Sequence, residues 1–120
     1  MRDFHKLKMW ERAHNLTLKV YEITKSYPKE EMFGLTGQIR RSAASIPTNI
    51  AEGCGRESLA ETIQFLNIST GSLCEVEYQL LLSYDLHYID EKVYLELSKE
   101  VSEIRMMIYS FIQKIRADAR

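Results

Sequence analysis

Apolar residues recur along this chain at alternating steps of four and three, the period of a helix that buries one face. Met9, Ala13, Leu16, Val20, Ile23 and Tyr27 form one such stripe and predict a first helix over about residues 7–26. Pro28 stops it, because the residue before a proline is pushed out of the α region. Leu35, Ile39, Ala43, Ile46 and Ile50 predict a second helix over about residues 30–53. Pro47 interrupts it, removing an amide donor and crowding the carbonyl of Ala43. The helix either kinks there or ends at Ile46; a kink near Pro47 is favoured, because Ile50 and Ala51 keep the same face. Gly53 and Gly55 then mark its end.

The third helix, about residues 58–86, has the clearest start signal. Ser58 and Glu61 stand three apart and can each accept from the other's backbone amide, a capping box. Its stripe includes Leu59, Ile63, Leu66, Leu73, Val76, Leu80 and Tyr84. Ser69, Thr70, Gly71 and Ser72 make a small, polar middle. A glycine there costs about 1 kcal/mol relative to alanine, so close approach of another helix is expected at Gly71. Asp90 is a good N-cap for a fourth helix over about residues 90–117, with Leu97, Val101, Ile104, Ile108, Phe111 and Ile115 on its seam. Residues 1–6 read as an extended lead-in. Short connections put sequential helices side by side. The expected fold is all-α: one domain, residues 1–120, an antiparallel up-and-down four-helix bundle.

Composition agrees with this and narrows the chemistry. Five Gly and two Pro are too few for a sandwich or a disordered chain. No signal peptide and no membrane-length apolar run is seen, so a cytoplasmic setting with reduced Cys54 and Cys74 is expected. The net charge of −1 argues against a generic polyanion binder. Charge is unevenly spread, however. Residues 1–28 carry six Lys/Arg against three acids, while residues 58–88 carry four acids and no Lys or Arg. The first and third helices are thus of opposite sign, which suits attraction within or between subunits, or a basic patch on the first helix.

No catalytic constellation is visible. His5, His14 and His87 are dispersed, and Glu75 and Glu77 point to different helix faces, so no metal or cofactor is expected. Cys54 lies between glycines with no His nearby in sequence, and the segment is too short for a phosphate loop. The chain is expected to have no enzyme activity and no small-molecule substrate. Gln38, Arg40, Arg41, Asn49, Glu52, Glu75 and Glu77 are candidates for a polar network, with arginine–carboxylate pairs between the second and third helices. The alternative role for Arg40, Arg41 and Arg56, with Lys6, Lys8 and Arg12, is phosphate contact. Trp10, Phe33, Phe65, Tyr78, Tyr94 and Tyr109 fall off or beside the seams; exposed together they would favour self-association.

Several of these runs together resemble one family. They are Phe4-x-x-Leu7-x-x-Trp10-x-x-Ala13-x-x-Leu16, then Tyr27-Pro28, Gln38-Ile39-Arg40-Arg41 and the run from Ser45 to Gly53 (SIPTNIAEG). Phe65-Leu66 and Gly71-Ser72-Leu73-x-Glu75-Val76-Glu77 complete the set. Over about residues 4–82 the chain resembles the bacterial four-helix bundle proteins encoded in 23S rRNA intervening sequences. Through them it is similar to the accessory variability determinant of diversity-generating retroelements. The resemblance implies a barrel-like homopentamer without enzyme activity. In the retroelement relatives it implies a basic surface that works with a reverse transcriptase and its RNA or DNA. With a pI of about 6.3 this chain departs from that basic character. Two functional expectations follow: an oligomeric bundle that binds nucleic acid or a nucleic-acid-handling enzyme, or a protein-interaction scaffold with no nucleic-acid role.

Overall fold

The computed structural model describes residues 2–119. Four helices carry the fold: α1 (Lys8–Thr24), α2 (Leu35–Cys54), α3 (Leu59–Asp85) and α4 (Glu91–Asp118). Among the described residues there is no strand. Each helix packs on its two neighbours in a closed cycle, α1 on α2, α2 on α3, α3 on α4 and α4 on α1, while α1 and α3 stand diagonally apart. This is an up-and-down four-helix bundle.

The core is the set of stripes read from the sequence. Leu16, Val20, Ile39, Ala43, Ile46, Ile50, Leu73, Val76, Leu80, Val101, Ile104 and Ile108 are fully buried. Removing such an aliphatic side chain from water contributes about 1.5–3 kcal/mol each. Toward the ends of the bundle the stripes are corrected: Ile23, Leu59, Ile63 and Tyr84 are only half-buried, and the seam of α4 shifts by one residue. Below Ile108 the seam of α4 passes through Ile112, which is buried, while Phe111 lies half-buried beneath the Arg2 guanidinium, 5.4 Å from its ring. Steps of four and three fit the helical period equally well there, and packing chose the former.

Several helix ends differ from the sequence reading. α2 begins at Leu35, five residues later than expected, after a 3-10 turn at Lys29–Glu31. Gly34 holds the N-cap position but has no side chain to cap with; Glu31 Oε1 accepts from Leu35 N at 3.1 Å instead. A Cβ at Gly34 would sit 2.7 Å from that same oxygen, so the glycine makes room for the cap. Residues 4–6 form a 3-10 turn rather than an extended lead-in, capped by Asp3 Oδ1 accepting from His5 N. Arg2 N donates to Cys54 O at 3.0 Å, which pins the lead-in against the end of α2. The two side-chain N-caps expected from the sequence are present: Ser58 Oγ accepts from Glu61 N, and Asp90 Oδ1 accepts from Val93 N.

α2 runs through Pro47 as one helix, so it does not end at Ile46. The α2–α3 seam is built from small and hydroxyl side chains. Ser69 Oγ donates to Ile46 O at 2.9 Å, Ser72 Oγ to Ser45 Oγ at 2.8 Å, and Thr62 Oγ1 to Gly53 O at 2.9 Å. The glycine that admits α3 is Gly53, where a Cβ would lie 3.2 Å from Phe65 Cβ and from Thr62 O. Gly71, where close approach was expected, is exposed, with open space where its Cβ would be. Ser69 and Ser72 face the seam, while Gly71 faces outward.

Candidate interaction surfaces

The basic residues proposed for phosphate contact do not form one free patch. Arg12 Nη2 donates to Glu103 Oε1 at 2.6 Å and lies 3.8 Å from Glu100; Lys19 Nζ donates to Glu100 Oε2 at 2.6 Å. The acids that balance α1 within the chain therefore belong to α4. Those of α3, its sequence-level complement, lie diagonally across the bundle. Arg40 turns toward α1: its Nε donates to Thr24 Oγ1 at 2.8 Å, and its guanidinium lies 4.9 Å from the Tyr21 ring centre. Arg56 donates to Glu52 Oε2 at 3.0 Å and covers the ring of Phe65 at 4.7 Å. Lys6, Lys8 and Arg41 remain exposed, Lys8 with only a 4.0 Å contact to Glu11.

The polar network is likewise redistributed. No arginine–carboxylate pair joins α2 to α3 among the described residues. Glu77 accepts from Arg105 of α4 at 3.0 Å, and Asn49 Nδ2 donates to Ser45 O and Oγ within α2. The α2–α3 seam is held by hydroxyls instead, because the two backbones approach too closely there for long side chains. Gln38, Arg41 and Glu75 lie beside that seam, on the rim of a cleft also lined by Ser42, Ser45 and Gln79.

The aromatic residues divide into two groups. Trp10 stacks on His14, with planes 4° apart and ring centres 5.2 Å apart, and meets the edge of Phe4 at 4.9 Å. Tyr94 stacks on Tyr84 at 5.1 Å, and Phe65 is covered by Arg56. Trp10, Tyr94 and Phe65 are thus satisfied within the chain. Phe33 is not: it is 96% exposed, and Tyr78 and Tyr109 stand more than half exposed. Tyr78 and Leu81, three residues apart on α3, form an outward apolar pair, and Ile68 is exposed on another face of the same helix, in the stretch that has no lysine or arginine.

A groove of about 780 Å³ lies between α1 and α2. Phe4, Trp10 and His14 form one wall, Ala44, Thr48 and Ala51 the other, with Glu52 and Arg56 also lining it. Among the described residues no three His, Cys, Asp or Glu side chains come together to hold a metal, and no helix is long and apolar enough to cross a membrane. Cys54 is buried, which pushes its thiol above the ordinary range, while Cys74 is exposed.

The 23S rRNA-intervening sequence proteins match residues 5–110, which take in α1, α2, α3 and most of α4. The chain belongs to that family. The match extends through most of α4, beyond the motif runs that end near residue 82. A solved structure similar to this chain is a protein of unknown function from the S23 ribosomal protein family of Bacteroides thetaiotaomicron VPI-5482. The two are 28% identical, with a TM-score of 0.81 over 88% of this chain and 95% of that one. No curated protein matches the chain. The matched range spans the SIPTNIAEG run in α2. The exposed positions on α3 and at Phe33 are features of this chain's own surface that helical spacing alone did not separate from Trp10 and Phe65.

Proposed function

We propose that this member of the family is a non-enzymatic assembly module. Its first partner is its own copy, and its second is a nucleic-acid-handling protein such as a reverse transcriptase. The observation that carries the reading is the outward apolar set: Phe33 at 96% exposure, and Ile68, Tyr78 and Leu81 along α3. Large apolar side chains that their own bundle leaves uncovered, such as Phe33 and the Tyr78–Leu81 pair, are the mark of a contact surface. The pairing of Arg12, Arg40 and Arg56 inside the chain favours a protein partner over a phosphate backbone. A contact between different faces of successive copies closes into a ring where its rotation allows, and the resemblance implies five subunits.

The test is light scattering on the purified chain, with Phe33→Asp and Tyr78→Lys as variants. A discrete oligomer that loses mass in the variants supports the reading. A folded monomer at every accessible concentration refutes it.

A second reading is direct contact with single-stranded RNA or DNA. It is favoured by the α1–α2 groove, where an aromatic wall stands opposite small residues with Arg56 close by. Binding through Arg56 of that groove, with Lys6 and Lys8 of the same end of the chain, would weaken steeply with salt. Absence of binding even at low salt removes this reading and leaves the first intact.

A further inference from the structure

On α3, Cys74, Tyr78 and Leu81 stand three before, one after and four after Glu77, and all three are exposed. On α4, Ser102, Met106 and Tyr109 hold the same places around Arg105, and all three are exposed as well. At about 100° per residue, these offsets set each trio on one outward side of its helix, next to the residue it surrounds. Glu77 accepts from Arg105 at 3.0 Å across the α3–α4 junction. The two trios therefore meet over that ion pair and make one face, two helices wide. Met106 is 70% and Tyr109 64% exposed, and Leu95, seven residues before Ser102, extends the face along α4.

Heights along the bundle follow from the pairs that join the two helices. Glu77 is level with Arg105, and Tyr84 stacks on Tyr94. Sequential helices run in opposite directions, so Tyr78 is level with Ser102, Cys74 with Met106 and Gly71 with Tyr109, within about half a turn. Each level sets a large side chain against a small one. Gly71 has open space where a Cβ would be. Charge is divided too. Residues 58–88 have no Lys or Arg, while Lys92, Lys99 and Arg116 of α4 are exposed, with no ion-pair partner among the described residues.

We propose that this face binds a second copy of the chain about a twofold axis parallel to the bundle. Such an axis preserves height and exchanges the helices, so α3 lies antiparallel on α4 of the second copy, and α4 on its α3. Tyr78 then enters the gap that Ser102 leaves between Lys99 and Met106, and Tyr109 enters the gap at Gly71, as ridges enter grooves. Asp85 comes level with the stretch between Lys92 and Lys99. Packing α3 on α3 would instead bring together two acidic stretches without a cation, and like charges resist docking. The contact is isologous, each copy giving and receiving the same side chains. The inference rests on the reading that the chain assembles with its own copy. It adds the face and the symmetry, and it gives Tyr78 and Leu81 a counterpart that does not involve Phe33.

The experiment is oxidative cross-linking of the full chain carrying Met106→Cys. A disulfide joins the new thiol to Cys74 of the other copy only if their Cα atoms come within about 7 Å. Cys54 is buried and should not compete. A cross-linked dimer whose peptide map joins Cys74 to position 106 supports the proposal. Tyr109→Glu sets a carboxylate against acidic α3 and should slow the cross-link at least about tenfold, with circular dichroism confirming the fold. Phe33→Asp should leave its rate unchanged. A disulfide within one chain, a link between two Cys74 residues, or no link where light scattering finds an oligomer overturns this face and leaves the assembly reading standing. So does a rate that Tyr109→Glu does not change, or one that Phe33→Asp abolishes. A folded monomer at every concentration overturns both.

Discussion

The hydroxyl of Thr17 lies 3.0 Å from the carbonyl oxygen of Ala43. Ala43 is four residues before Pro47, so its carbonyl is the one that the proline cannot serve. α1 thus reaches into α2 at the level where α2 lacks a backbone hydrogen bond. The same hydroxyl is 2.9 Å from Ala13 O, and its single proton is shared between the two acceptors. A proline buried in the middle of α2 is tolerated because a neighbouring helix attends to the carbonyl left over.

This relationship predicts a coupling. Thr17→Val should destabilise the chain by about 1–3 kcal/mol, the cost of a buried carbonyl without a donor. Pro47→Ala restores an amide opposite Ala43, with an intrinsic helical gain of up to about 3 kcal/mol. Loss of packing around the buried ring offsets part of that gain. In the Pro47→Ala background Thr17→Val should cost less, and a double-mutant cycle in urea reads the difference. Strictly additive effects would show that the threonine does not serve that carbonyl.

His87 has φ of 66°, in the left-handed region. His87 N donates to Tyr84 O at 3.0 Å and Tyr88 N to Ser83 O at 2.9 Å, the two bonds of a Schellman ending for α3. Glycine adopts this conformation without the Cβ penalty of about 1 kcal/mol. His87→Gly should therefore raise stability by several tenths of a kcal/mol to about 1 kcal/mol, measured by chemical denaturation. A loss of stability would mean that the imidazole makes a contact worth more than the strain.

Two tyrosines should set the alkaline limit. Tyr88 Oη donates to Glu31 Oε2 at 2.9 Å, tying the α3–α4 connection to the turn that caps α2; that bond holds its phenol above the ordinary value. Burial pushes Tyr27 up as well, with Ser83 opposing. Both groups have folded pKa values above their unfolded ones. Their stabilising contribution is complete below about pH 10, the unfolded tyrosine value. It is lost as pH rises through the higher folded values. Urea midpoints between about pH 9 and 11 should fall, and fall less in Tyr88→Phe. An unchanged slope in that variant would remove Tyr88 from the account.

The thiols should separate by reactivity. Cys54 is 4% exposed with its pKa raised by burial, and the thiolate is the reactive form. Iodoacetamide should modify Cys54 at least about tenfold faster in urea than in buffer, as read by mass spectrometry. Equal rates would show that the end of α2 opens readily, despite the Arg2–Cys54 backbone bond.

Helical spacing by itself determined most of the core, though not the choice of Ile112 over Phe111. Leu16, Ile39, Ile46, Leu73 and Ile104 were each assigned from steps of three and four, and each is buried. A helix displays its register locally, so a buried stripe is legible without knowing what covers it. Capping was legible at Ser58 and Asp90 for the same reason, since donor and acceptor are three residues apart. Partners across the bundle were not. That Arg12 meets Glu103, that Thr17 meets Ala43 and that Gly53, not Gly71, admits α3 depend on the rotation and height at which helices pack. The cleft at Gln38, Arg41, Glu75 and Gln79 was half legible, because three of those residues stood out as polar positions near a seam. That they remain unpaired was decided by the bundle, through small side chains that draw α2 and α3 together elsewhere along the seam.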